Sequence, residues 1–161
     1  LAHVTVSPFY TDRNLTELNE DKKVDFYFTD ATGGIGGVLL SNETIPYVFN
    51  HTYHVRRNIF IFPNATLTID SGVKLAFDQG IGIYIIGELV IREGDNHGIT
   101  SMRRKNPTGK WGGIRIGSPS SVGLFLNNVQ LDGSTYGIHG PGRNITLKSV
   151  TITNTDYAIY V

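Results

Sequence analysis

The chain has 161 residues, enough for one domain or a piece of a larger protein, and its 14 basic residues balance 14 acidic ones. That balance asks for neither nucleic acid nor an anionic membrane as partner, while 40% hydrophobic and 17% charged residues allow a buried core and argue against disorder. The absence of Cys excludes a disulfide scaffold and a thiolate metal site.

With 19 Gly and an abundance of Val, Ile, Thr, Phe and Tyr, the composition favours strands and tight turns over helices. Residues Leu1 to Val6 carry neither the basic nor the apolar stretch of a signal peptide. Segment 24–40 begins with an alternating run, Val24 to Phe28, and continues through the glycine-rich Gly33 to Gly37. It reads as strands of a cap or of the edge of a preceding unit, so residues 1–52 are assigned to that role. Gly33–Gly37 lacks the Lys-Ser/Thr ending of a phosphate-binding loop and is read as a turn.

A repeat begins near Tyr53. At an offset of 22 residues Leu67 falls on Leu89, Ile69 on Ile91, Asp70 on Arg92 and Gly72 on Gly94. The apolar stretch Ile81–Ile91 is interrupted by Gly82, Gly87 and Glu88, and falls short of the roughly 20 residues that span a bilayer. Next comes a basic loop with Arg103, Arg104, Lys105 and Lys110, and then the strand-like Trp111 to Ile116. At an offset of 21, Leu126 meets Leu147, Val129 meets Val150, Leu131 meets Ile152, Tyr136 meets Tyr157 and Ile138 meets Ile159.

The spacing inside each repeat is that of strands separated by bends. Leu126, Val129 and Leu131 are separated by a gap of three and then a gap of two. A gap of two keeps side chains on one face of a strand, and the gap of three marks a bend near Asn127 and Asn128 that resets the parity. A single such turn cannot bury its own apolar face. Stacked copies can, each strand pairing in parallel with its counterpart one turn on, about 4.8 Å away. Tyr136 then lies over Tyr157, and Asp70 beside Arg92 as an outward pair. The expected fold is all-β, a parallel β-solenoid of about five turns of roughly 20–25 residues over 53–161. The chain stops inside an apparent strand, so the solenoid is expected to continue beyond Val161 in a longer parent, because an open sheet edge invites aggregation.

Asn14, Asn42, Asn50, Asn64 and Asn144 each begin an Asn-x-Thr sequon. Five sequons in a Cys-free chain favour the secretory route, with an extracellular or cell-surface location and N-glycans on these residues. The basic loop residues Arg103, Arg104, Lys105 and Lys110 are candidates for contact with a sulfated glycan or acidic partner, weighed against a solvated insertion, which loops commonly are. Trp111 is expected to pack beneath that loop as an anchor. The acidic residues are dispersed and the five histidines lack zinc-ligand spacing, so neither metal nor cofactor is expected.

The segment Pro63-Asn-Ala-Thr-Leu-Thr-Ile-Asp-Ser-Gly-Val73, with its continuation Gly80 to Leu89 and the steps Trp111 to Ile114 and Tyr136 to Ile138, resembles the right-handed parallel β-helix proteins of pectate-lyase-like fold. With Gly37 to Leu40 and Pro46 to Val48 added, the chain is most similar to the large animal cell-surface proteins of the bark beetle (Anakonda) type. The resemblance implies a right-handed parallel β-helix in an ectodomain that acts at cell–cell junctions. The expected role is non-enzymatic, a rigid spacer or protein-recognition surface whose partners are extracellular proteins or a neighbouring domain of the same parent.

Polysaccharide-active enzymes also use this fold, which makes a carbohydrate-binding or carbohydrate-active β-helix the alternative. Asn154-Thr155-Asp156 and Gly137 to Gly140 look superficially like the motifs of polygalacturonase-type hydrolases, but the Asp pair is missing and the order is reversed. Repeat alignment places Asn154 on Gly133 and Asp156 on Thr135, both in a turn that requires such residues. No catalytic residue is assigned. Clustering of Asp132, Asp156 and His139 would favour the alternative, since glycoside hydrolysis needs two carboxyl groups about 5 to 9.5 Å apart.

Overall fold

A computed structural model describes residues 33–94, 96–117, 123–141 and 144–161. Asn14 and the run Val24 to Phe28 lie outside the described residues. The strands are β1 (Ile35–Leu39), β2 (Glu43–Ile45), β3 (Thr52–Ile61), β4 (Thr66–Ile69), β5 (Lys74–Phe77), β6 (Gly82–Ile85) and β7 (Glu88–Ile91). They continue as β8 (Thr100–Arg104), β9 (Gly113–Ile116), β10 (Gly123–Asp132), β11 (Tyr136–His139), β12 (Ile145–Thr153) and β13 (Tyr157–Tyr160).

Every pairing among these strands is parallel, and the pairs sort into three columns. The first column stacks β2, β4, β7 and the first halves of β10 and β12. A second holds the first half of β3, then β5, β8 and the second halves of β10 and β12. A third runs through β1, the second half of β3, β6, β9, β11 and β13. The chain visits the columns in rotation and so winds a parallel β-solenoid of about five turns.

The register reproduces the sequence offsets. Leu67 pairs with Leu89, Ile69 with Ile91, Leu126 with Leu147, Leu131 with Ile152 and Ile138 with Ile159. The stacking also reaches further toward the N-terminus than the period read from sequence. Gly37 and Leu39 lie beside Ile59 and Ile61, and Ile45 lies beside Ile69. Residues 35–37, expected as part of a turn, belong to β1 instead, and Gly37, at positive φ, stands where the next turn carries Ile59, which hid the match.

The core is what stacking predicts. Leu67, Leu89 and Leu124 form one buried row, Leu75, Met102 and Leu131 another, and Ile59, Ile83, Ile114 and Ile138 a third. Each such side chain contributes about 1.5–3 kcal/mol on leaving water. The last described turn carries the same residue types exposed: Leu147 at 36% and Ile159 at 51%.

Corners are made by residues that tolerate φ above zero. Asn50, Gly72, Asn128 and Ser149 occupy the same place, three residues ahead of Tyr53, Leu75, Leu131 and Ile152 in the second column. Asn is common there because its short polar side chain offsets the left-handed strain. Gly133 and Asn154 repeat the arrangement at the next corner.

Candidate functional site

Of the sequon asparagines, Asn42, Asn50, Asn64 and Asn144 are described, and all four are exposed. Asn50, Asn64 and Asn144 have positive φ at turns, and the Asn42 side-chain oxygen accepts a 2.9 Å hydrogen bond from the Thr66 amide. The threonines that complete two of these sequons open strands: Thr52 begins β3 and Thr66 begins β4, where the Thr66 hydroxyl donates to Glu88 at 3.1 Å. A left-handed corner followed by a strand therefore accounts for part of the Asn-x-Thr pattern by folding alone.

The expected basic loop is in part strand, because Arg103 and Arg104 end β8, and the two lysines that follow are each paired with an acid. Lys105 faces Asp78 at 3.9 Å, and Lys110 is hydrogen-bonded to the Asp156 carboxylate. Arg104 lies in register with Phe77, and its stem crosses the space a side chain at Gly133 would need. Arg103 is exposed, opposite Asp132 in register. Beneath the loop Trp111 is fully buried, stacked on Phe77 at 4.1 Å, and its indole N–H donates to the Asp132 carbonyl at 2.9 Å. Burial first, and then the charges of Lys105 and Arg56, push the His54 imidazole below its ordinary pKa.

The two carboxylates whose clustering would favour the carbohydrate-active alternative have separate partners. Asp132 accepts hydrogen bonds from the Thr153 hydroxyl at 2.9 Å and the Asn154 amide at 2.6 Å, while Asp156 holds Lys110. His139 stacks against Tyr136 at 4.5 Å and against Tyr160 at 5.3 Å. Among the described residues no three His, Asp or Glu side chains gather as a metal site requires.

Several recesses lie on the outer surface among the described residues, and two of them bear on binding. One, of about 390 Å³, is lined by Ser71, Glu93, Asn127 and Lys148 among others. Its charges cancel. Lys148 and Asn127 each donate to Glu93 at 2.9 Å, and these bonds, Lys148 first, hold the carboxyl below its usual range. The other, of about 330 Å³, lies on the third column between Tyr84, Arg115, Tyr136 and His139, over a floor of glycines. The sequence reading missed it. Its signal was the outward parity of Tyr84, Arg115 and His139 on three successive turns, masked by unequal loops between them.

Over 74 residues, 45% of this chain, the sequence is 32% identical to Protein bark beetle of Drosophila melanogaster. The similarity is that of a distant homologue. The chain spans about 2% of that relative's length. No protein-family model matches the chain, and no solved structure matches it.

Proposed function

We propose that the chain is a non-enzymatic extracellular module, a rigid β-solenoid serving as spacer or protein-recognition surface in a larger cell-surface protein. The observation that carries the reading is the uninterrupted parallel stacking over one apolar core, an architecture that resists bending because each turn is hydrogen-bonded to the next. The engagement of Asp132 and Asp156 by separate partners supports a role without catalysis. The distant similarity to Protein bark beetle supports a place in a much longer chain, and the junctional role is carried over from that resemblance. N-glycans on the exposed Asn42, Asn50, Asn64 and Asn144, and on Asn14, belong to the same proposal.

The test is the mass of the natural product before and after enzymatic removal of N-glycans. A species well above 17.7 kDa that loses mass in glycan-sized steps is expected. An unmodified 17.7 kDa product removes the extracellular reading. Release of new chain ends from an acidic polysaccharide by the purified protein would overturn the non-enzymatic part.

A further inference from the structure

The outward positions of the third column run Phe60, Tyr84, Arg115, His139 and Tyr160 from turn to turn. At a spacing of about 4.8 Å neighbouring rings on a parallel sheet must stack. Phe60 does so on Tyr84 at 5.0 Å, and His139 on Tyr160 at 5.3 Å. Arg115 interrupts this ladder. It is exposed, and its guanidinium makes neither an ion pair nor a hydrogen bond with the described residues. Nothing in the stacking asks for a cation at that rung, where a further aromatic ring would serve the fold.

Beside the ladder the sheet surface is bare. Gly82 and Gly113 are neighbours in register, with Gly80 and Gly112 close by, and together they floor the recess of about 330 Å³. The bareness is required by the backbone: a Cβ on Gly82 would sit 2.7 Å from the Gly113 carbonyl oxygen. Tyr84 and Tyr136 stand at its rim, half-buried, and Tyr136 is held by stacking on His139 and on Tyr157 at 5.1 Å. No carboxylate lines the recess.

We infer that this recess binds an acidic glycan. The apolar face of a sugar ring lies against Tyr84 or Tyr136, and Arg115 takes its carboxylate or sulfate. The volume falls at the small end of the range for specific small-ligand sites, about 300–1,000 Å³. A recess of this size suits a single sugar ring better than a protein partner, whose stable docking needs about 800 Å² on each side. The extracellular reading matters here only for where the ligand is met.

The test is calorimetric titration of the 161-residue chain with three hexasaccharides: hyaluronan for carboxylate, heparin-derived for sulfate, and neutral cellohexaose. Binding of at least one acidic probe, with cellohexaose at least tenfold weaker, is expected. Arg115→Gln and Tyr84→Ala each weaken it about tenfold or more, Tyr84→Phe retains it, and Arg103→Gln leaves it unchanged. An unchanged thermal melt for Arg115→Gln separates lost contact from lost fold. Absence of binding by all three probes overturns the inference, as does equal affinity in Arg115→Gln. So does a loss in Arg103→Gln as large as that in Arg115→Gln, which moves binding to the basic loop. None of these outcomes alters the glycan-removal result, so the two readings fail independently.

Discussion

Trp111 concentrates several demands of the fold in one side chain. It fills the corner below the basic loop, presents a face to Phe77, and satisfies the carbonyl of Asp132 one turn away. Its burial was legible in the sequence, because a lone large aromatic after a polar loop gains most by packing beneath it. Its partners were not, since Asp132 lies 21 residues further on and is reached only through stacking. Replacing Trp111 by Ala removes the ring contact and orphans the carbonyl. The expected loss is about 3–5 kcal/mol, read from the shift of the urea midpoint. The corner residues at positive φ make the complementary point. Asn128 at φ 57° and Ser149 at φ 54° stand where the gap of three between apolar residues had placed a bend.

Strands in this protein are held by their counterparts one turn away, and glycine appears where those counterparts come closest. Gly113 is the clearest case. Its φ is +90°, and a Cβ there would run into the Tyr136 carbonyl. Gly113→Ala therefore meets both backbone strain and a clash between β9 and β11. The expected cost is about 2–4 kcal/mol, with stability lost at these two strands before the N-terminal turns, as residue-resolved denaturant titration by NMR would show. The motif Trp111-Gly112-Gly113-Ile114 was recognisable in the sequence as a step of this fold. The reason for its glycines required the register of β6, β9 and β11.

Across the whole molecule, stability is a sum over neighbouring turns, so it is greatest where a turn is covered on both sides. Ile83, Ile85, Leu89 and Ile91 are covered in that way, whereas Leu147, Tyr157, Ile159 and Tyr160 are exposed. Amide hydrogen exchange in the 161-residue chain should show β6 and β7 protected by about tenfold or more relative to β12 and β13. Uniform protection across the turns would mean that the chain unfolds as one cooperative block.

The sequence by itself determined the all-β class, the stacking of turns in the C-terminal two-thirds, the pairing of Asp70 with Arg92 at 3.8 Å, and the Tyr136–Tyr157 step. It could do so because a stacked repeat turns a fixed offset along the chain into direct contact in space. Only the tertiary structure decided how the unequal loops after Ile91, Arg104 and Ile116 are absorbed while the columns stay in register. It also showed that Lys105 and Lys110 are engaged by Asp78 and Asp156, and that Tyr84, Arg115 and His139 share one face beside a glycine floor. Those relations depend on loop lengths that vary from turn to turn, so no single offset in the sequence carries them.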